Sequence, residues 1–532
     1  MVDGTAPAAQ ARMADLVHAA AAHYGDALAF VGEDGARLSF RAFGDAAWQA
    51  AGAFIAAGVA RGDRVAIWAP NCVAWVVAAA GLQIAGAALV PLNTRFKAPE
   101  AAYILRKTRA RVLLTVGEFL GNDYAAMLTR ECGDADAGHI VSGLPSLETI
   151  VLLDDANRPG CVRWRDFLAA GGDGAALAAR SAEVRPEDTG DILFTSGTTG
   201  APKGAMHSQR QALWMVGVWN RLNDLRPDDR QIIVNPFFHS FGYRSGFVSG
   251  LMAGMATWPI AVFDPIAVMG LIAQERITVL MGPPTLFFAI LDHPRRAEFD
   301  LASLRVAHTG SSNVPVDLIR RLRDELRFDL VLTSYGLTEA TALVSANAPD
   351  ADFETIARSV GAPLPGVELR IDAAEGADSG EILVRGPNVM QGYFEDPAAT
   401  AEAIDAEGWL HTGDVGRIGA DGNLRILDRI KDVVIVGGFN AYPAEIENVL
   451  MTHPAVAEVA IVAVPDTRLG EACGAAVVLK PDQTLTLEDL TAWCRERMAN
   501  YKVPRHLLLL DELPRTALGK PLKYVLRARM GG

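Results

Sequence analysis

The run TSGTTGAPKGAMHS, Thr195 to Ser208, crowds five hydroxyl side chains, three glycines and one lysine into fourteen positions. It follows Ile192-Leu193-Phe194, an apolar triplet that reads as the end of a buried strand. Glycines let a backbone approach a polyphosphate closely, and hydroxyls with exposed N–H groups then replace its water shell. A lysine at the rim, Lys203, neutralises charge. The loop is not a Walker A sequence, because Pro202 occupies the place of the glycine before the lysine and no Ser or Thr follows Lys203 directly. A generic Gly/Thr turn is the plain alternative; the strand before the loop and the Pro-Lys-Gly after it favour an anion cradle.

The surrounding pattern sets the fold class. From about Phe30 to Val184, alanine-rich helical segments alternate with short β runs such as RVAIWAP and RVLLTVG. The pattern resumes with RQIIVNPFF, ITVLMGPP, LRVAHTG and DLVLTSYG, each a hydrophobic strand meeting a polar or glycine-rich turn. This predicts an α/β fold, a large N-terminal domain of layered, mainly parallel sheets with helices. In open sheets of this kind ligands gather beyond the strand ends, so the turns are expected to converge on one crevice. Around Leu427 the character changes. Two adjacent glycines lead into an amphipathic helix with Pro443 in its first turn, then strands VAEVAIVAVP and GAAVVLK and a helix over Leu487 to Met498. We expect residues 1–428 in the large domain and 429–532 in a small α+β domain joined at Asp428–Asp432.

A chain of 532 residues is too long for one core and implies roughly three to four packing units. Its net charge of −14 disfavours nucleic-acid binding, which needs a positive field. Five scattered cysteines without a C-x-x-C pair argue against a disulfide framework or a structural zinc site. With no basic head and apolar segment at the N-terminus, a cytoplasmic location is expected. Val73 to Leu92 reaches the ~20 residues a membrane helix needs. It is mostly Ala and Gly, carries Gln83 and ends beside Pro91, so a buried helix running into a short strand is expected instead.

The loop belongs to a longer series: PFFHSFG (236–242), HTGSSNVP (308–315), YGLTE (335–339), GWLHTGD (408–414), DRIKD (428–432), GGFNAYPAEIE (437–447) and PRTALGK (514–520). In this order they resemble the adenylate-forming superfamily, which includes acyl- and aryl-CoA synthetases, peptide-synthetase adenylation domains and luciferases. The resemblance implies ATP, Mg²⁺ and coenzyme A, used to convert a carboxylic acid into an acyl-AMP and then a thioester. It also implies roles. Thr195, Ser196, Gly197, Thr198, Thr199, Gly200 and Lys203 would hold the β- and γ-phosphates. Glu339 would help position Mg²⁺, and Thr338 would donate to the α-phosphate. Tyr335 and Gly336 would lie at adenine with Gly310, Ser311 and Ser312. Asp414 would accept the ribose hydroxyls, with Arg429 also reaching the ribose. Lys520 would be the adenylation lysine. The small domain would rotate about Lys431, withdrawing Lys520 and bringing Gly437 and Gly438 to a pantetheine tunnel. His239 would lie between the acyl pocket and the thiol path.

The stretches NPFFHSFGYRSG, ITVLMGPPTLFFAILDHP and RGPNVMQGYFEDPAATAEAID resemble more narrowly the actinobacterial CoA ligases for steroid-derived hydrindanone propanoates. That implies a pocket walled by Phe237, Tyr243, Phe247, Met281, Pro284 and Ser311 for a bulky apolar acid, alicyclic or fatty. Two positions depart from the family. Leu518 stands where a small hydroxyl or alanine usually precedes Gly-Lys, which predicts slowed adenylation; Gln209 replaces a frequent histidine. The alternatives are a ligase specialised for thioesterification of a preformed adenylate, transfer to a carrier protein, or a binding protein that has lost turnover. Partners are the acid, ATP and CoA, with no nucleic acid and no transmembrane segment; a homodimer is left open.

Overall fold

The computed structural model describes residues 11–134, 140–172, 174–195, 202–310, 314–436, 439–515 and 520–531. Ser196 to Gly200, Ser311, Ser312, Gly437, Gly438 and Leu518 lie outside them.

The largest sheet runs through strands Leu330–Tyr335, Val306–Thr309, Val279–Gly282, Arg230–Ile233, Ala256–Pro259 and Leu28–Val31, all parallel. Register aligns their ends: Ile233 faces Met281, Gly282 faces Thr309, and Thr309 faces Thr333. The turns after these strands therefore leave from one edge, where an open parallel sheet receives its ligand. A second sheet sets Ala88–Pro91 beside Thr189–Thr195 in parallel, with Leu89 opposite Asp191. The residues that flank the hydroxyl-rich run are paired, because Lys203–Ser208 returns antiparallel to Thr189–Thr195 with Thr195 opposite Lys203.

The segment that imitates a membrane span is a helix, Val73–Ile84, followed by the strand Ala88–Pro91, as its composition predicts. It packs on helix Phe40–Ala56 through small residues. A Cβ at Gly81 would stand 2.6 Å from the Ala50 Cβ and 3.0 Å from the Ala47 carbonyl oxygen, so glycine permits the crossing. No helix among the described residues is long and apolar enough to cross a membrane. The five cysteines are unpaired.

One layer differs from expectation. Strands Glu368–Asp372, Gly380–Arg385, Leu410–Ile418 and Leu424–Arg429 form an antiparallel sheet that carries Asp414 and Arg429. Glu368–Asp372 alternates exposed and half-buried positions, so it offers no apolar run to announce a strand. Beyond it a smaller C-terminal domain has its own five-stranded sheet, built on Val456–Asp466 and Gly470–Leu479. Its core of Val434, Ile446, Leu450, Ile461, Val477 and Leu490 is separate from the cores of the large domain. Pro443 opens helix Pro443–Leu450, where a missing N–H costs nothing. The Asp428 carboxylate accepts from the Ala444 N–H at 2.8 Å, tying the end of the antiparallel sheet to that helix.

Candidate active site

Strand Leu330–Tyr335 delivers Tyr335 to the sheet edge, buried, with its hydroxyl donating to Asp414 Oδ2 at 2.5 Å. Arg429 lies opposite Asp414 on the neighbouring strand and pairs with Oδ1 at 3.0 Å. Tyr335, Asp414 and Arg429 are thus one contact group although their parent segments lie far apart in sequence. Burial, with the Asp414 charge beside it, pushes the Tyr335 hydroxyl well above its ordinary range, so it remains a donor.

Gly336 has no room for a side chain; a Cβ there would stand 2.0 Å from the Ala342 carbonyl oxygen. The chain then makes a short 3₁₀ turn, Thr338–Ala340. Thr341 and Ala342 follow at φ 53° and 74°, left-handed positions that cost of order 1–3 kcal/mol each in non-glycine residues. Thr341 Oγ1 donates to the Asn388 carbonyl at 2.5 Å, and Asn388 Nδ2 donates to the Leu343 carbonyl at 2.9 Å, so neighbouring backbone holds the strained turn. Strain of this kind collects where geometry must be kept for a ligand.

Glu339 accepts a hydrogen bond from the Tyr393 hydroxyl at 2.9 Å on Oε1. The Lys203 ammonium stands 5.2 Å from the centre of the same tyrosine ring. Strand Gly392–Tyr393 pairs with Lys203–Ser208, which fixes that meeting. Tyr393 therefore links the base of the hydroxyl-rich hairpin to the Glu339 turn. Sequence reading missed it, since a tyrosine in QGYFEDP carries no local signal of chemistry. Thr195 is the last described residue of its strand, and Gly310 is buried at the end of its own. Among the described residues no group of three or more His, Cys, Asp or Glu side chains is placed to hold a metal by itself. One carboxylate, Glu339, would be available to Mg²⁺, an ion that commonly keeps several waters and shares phosphate oxygens.

His239 follows Pro236-Phe237-Phe238, a loop pinned by Asn71, whose Oδ1 accepts from the Phe237 N–H at 2.8 Å. Gly242 is required there, because a Cβ would lie 2.2 Å from the Asn235 carbonyl oxygen. His239 Nδ1 accepts from the Phe241 N–H at 3.2 Å, which leaves Nε2 as the protonated nitrogen. Burial drives the ring down to about 4, and the charges of Lys520 and Arg244 act in the same direction. The exposed Lys520 of the small domain is thus within electrostatic reach of His239 in the large one.

Phe237, Tyr243 and Phe247 are fully buried and pack on Trp75, with ring centroids 4.9, 6.1 and 5.9 Å away. Met281 and Pro284 flank the next strand end, and Asn235 Nδ2 donates to the Met281 carbonyl at 3.2 Å. Gln209 is structural: its Oε1 accepts from the Met13 N–H at 2.8 Å and its Nε2 donates to the Gln83 carbonyl at 3.1 Å. Lys431 lies in a 3₁₀ turn, Ile430–Asp432, between the domains.

Sequence reading also missed a buried polar cluster beneath the hairpin. Asp191, His207 and Arg244 are all inaccessible to solvent. Arg244 Nη2 donates to Asp191 Oδ1 at 2.5 Å, and His207 bridges from Asp191 to the Thr338 carbonyl. An arginine within apolar surroundings, as in FGYRSGFV, was the available signal.

Comparison with known proteins places these features in one family. The model described as AMP-binding enzyme matches residues 17–394, and that for the AMP-binding enzyme C-terminal domain matches 445–520. The chain is 47% identical over 511 residues, 96% of each chain, to the 3-[(3aS,4S,7aS)-7a-methyl-1,5-dioxo-octahydro-1H-inden-4-yl]propanoyl:CoA ligase of Rhodococcus jostii (strain RHA1). It is 47% identical over 503 residues to the protein of the same name from Mycobacterium tuberculosis (strain ATCC 25618 / H37Rv), covering 94% of this chain and 96% of the other. Among solved structures, the anthranilate CoA ligase AuaEII in complex with anthranoyl-AMP superposes with a TM-score of 0.86 at 27% identity, covering 98% of this chain and 97% of that one. The extent of these matches, spanning both the strand-edge site and the small domain that carries Lys520, shows that the chain belongs to the AMP-binding enzyme family.

Proposed function

We propose that the protein is an ATP-dependent acyl-CoA ligase that converts a bulky alicyclic acid, a propanoate on a fused bicyclic ring, to its CoA thioester through an acyl-AMP. Two relatives at 47% identity carry names of that chemistry, and the match runs nearly end to end. The observation that carries the reading is the convergence of Tyr335, Glu339 and Asp414 at one sheet edge, with the Lys520 charge reaching His239 across the domain boundary.

In this reading the nucleotide lies along that edge. Asp414 offers two carboxylate oxygens to the ribose, with Arg429 beside it. Tyr335, Gly336 and the 310–312 turn flank adenine. Lys203 and the residues from Thr195 to Gly200 hold the β- and γ-phosphates. Mg²⁺, held by Glu339, would neutralise phosphate charge. Thr338 donates to the α-phosphate. Lys520 bridges the acid carboxylate and the α-phosphate as charge moves onto the departing pyrophosphate. A carboxylate alone has no leaving group a thiol can displace; AMP provides one. His239, neutral near pH 7, then stands between acid and thiol without adding a charge. Phe237, Tyr243, Phe247, Met281 and Pro284 form the apolar wall. The domain boundary falls at 428/429, and a turn of residues 429–532 about Lys431 exchanges Lys520 for Gly437 and Gly438, which runs two chemistries in one cleft.

The test is a panel of alicyclic, fatty and aromatic acids, assayed separately for pyrophosphate release with MgATP and for thioester formation with CoA. Bicyclic propanoates are expected to give both. Pyrophosphate without thioester, or neither with any acid, overturns the reading.

A further inference from the structure

His207 lies on strand Lys203–Ser208 with no exposed surface. Its Nδ1 is 2.9 Å from Asp191 Oδ1, and its Nε2 is 2.7 Å from the carbonyl oxygen of Thr338. Both partners are acceptors. Burial pushes the Asp191 carboxyl up, but the Arg244 charge and the His207 hydrogen bond outweigh it and hold the group below its ordinary value. Asp191 is therefore ionised and has no proton to offer, and a carbonyl never has one. A ring between two acceptors completes both hydrogen bonds only when both nitrogens carry protons.

We propose that His207 is the positioning residue of the Thr338–Ala340 turn: doubly protonated once nucleotide is bound, it ties the Thr338 carbonyl to the Asp191–Arg244 pair and sets where Thr338 and Glu339 meet the nucleotide. The proposal rests on the reading above, in which this turn faces the phosphates. It identifies a residue of the opening run to which the resemblance assigned no role, one that acts through backbone and not through substrate.

The surrounding groups explain why the device is tunable. Asp191 comes from strand Thr189–Thr195 and Thr338 from the 3₁₀ turn. Arg244 comes from a π-helical turn, Tyr243–Val248, a rare geometry that recurs at functional sites. Its neighbour Tyr243 accepts from Gln83 at 2.6 Å, and His239 lies close enough to feel the Arg244 charge. Burial and Arg244 oppose the second proton on His207, while Asp191 and the Thr338 carbonyl favour it, and the balance lies below the ordinary histidine value. Arg244 and His207 share the single oxygen Oδ1, and the Tyr243 hydroxyl also faces the Asp191 carboxylate; among the described residues, Arg244 Nε and Nη1 are buried without hydrogen-bond partners. An ion pair built for stability alone would be bidentate and fully satisfied. This one leaves capacity unused while serving two elements, the acyl-side turn through Arg244 and the phosphate-side turn through His207. Negative phosphate charge arriving over the Thr338 turn would favour the doubly protonated ring, so nucleotide binding and seating of the turn reinforce one another.

The test uses the full-length protein with MgATP as probe. Nitrogen NMR of histidine-labelled wild type reads the ring directly, the His207 signal being the one that survives single replacement of every other histidine. Two protonated ring nitrogens at pH 6 in the MgATP complex are expected; one unprotonated nitrogen there overturns the proposal. Equilibrium MgATP binding gives the second readout. His207→Gln keeps one donor and is expected to bind MgATP about tenfold to a hundredfold more weakly, the loss of a charge-assisted hydrogen bond. The variant is also expected to lose the wild-type dependence of affinity on pH. A His207→Gln protein that melts like wild type and binds MgATP with unchanged affinity and pH profile overturns the proposal. Should that variant not fold, the ring state in wild type decides alone. Neither readout needs an acid substrate, so failure of the acid panel and failure of this proposal are distinguishable.

Discussion

Two cations border the cleft, and the fold holds them in opposite ways. Arg244 has no exposed surface and is locked to Asp191 inside the large domain. Lys520 is exposed and rides on the small domain, which has its own core. A buried cation is part of the architecture, because removing its partner strands a charge in a low-dielectric interior. An exposed cation on a separate unit can be brought up and withdrawn without unfolding anything. In the proposed function, the difference gives Arg244 the task of holding the site and Lys520 that of operating it.

The largest expected effect breaks the buried half of this comparison. Asp191→Ala leaves Arg244 uncompensated and His207 without its carboxylate, a change that typically costs about 3–5 kcal/mol. Thermal and urea melts should show a large loss of stability. Survival of the fold with near-wild-type melting would mean that Arg244 finds another partner and that the cluster is not structural. The operating half is tested by Lys520→Ala. Its melting temperature should be unchanged, while pyrophosphate release falls by about a hundredfold or more, the usual worth of one preorganised charge. Conversion of synthetic acyl-AMP to thioester should be spared, and equal loss of both steps would refute the division of roles.

Acidification sharpens the comparison at intermediate size. Burial holds His239 at about 4 and His308 at about 3, both below the ordinary histidine value of 6.5. Both rings stay neutral in the fold, whereas the unfolded chain takes up their protons near pH 6.5. Stability is therefore complete above that value and falls as pH drops through it, until the folded groups themselves titrate. Each contributes up to about 1.4 kcal/mol per pH unit within that window. Urea unfolding at pH 7.5, 6 and 5 measures the slope. His308 lies between the Asn223 Oδ1 and Ser334 Oγ atoms at 2.8 Å each, so His308→Asn should flatten part of it. Stability that rises from pH 7.5 to pH 5 would contradict the assignment.

What could be read from the residues follows the same division. The parallel sheet was legible because its buried strands are short β-branched and apolar segments closed by turns: RQII, VLMG, VAHT and LVLTSY each end in the turn expected of them. The helix in Val73 to Leu92 was legible from its small residues, which suit a close helix crossing better than lipid. The antiparallel sheet that carries Asp414 was not, since its edge strand is half solvent-facing and alternates too weakly. Nor was the strand after Lys203, whose sequence KGAMHS has no apolar run to mark it. The individual contacts were least legible. Tyr393 reaches Glu339, and His207 reaches Thr338, across separations of 54 and 131 positions. Nothing local in QGYF or AMHS encodes such a partner; only pairing of the strands that carry them does.

The smallest expected effect lies where the two regions meet. Arg429 pairs with Asp414 at 3.0 Å but is 45% exposed, so the pair is worth no more than about 1 kcal/mol to folding. Arg429→Ala should leave the melting temperature within experimental error. Its place beside the carboxylate proposed to face the ribose gives it a second use. Without the guanidinium, Asp414 is still held by the Tyr335 hydroxyl, but one of its two oxygens loses its tether and must be ordered by the nucleotide itself. KM for ATP should therefore rise a few-fold, about 1 kcal/mol for one neutral-to-modest hydrogen-bond contact, with kcat little changed. A fall in kcat with KM unmoved would instead place Arg429 in the domain turn, since it precedes Ile430–Asp432 directly. The split between the two constants thus decides whether this residue belongs with the fixed architecture of Arg244 or with the moving part that carries Lys520.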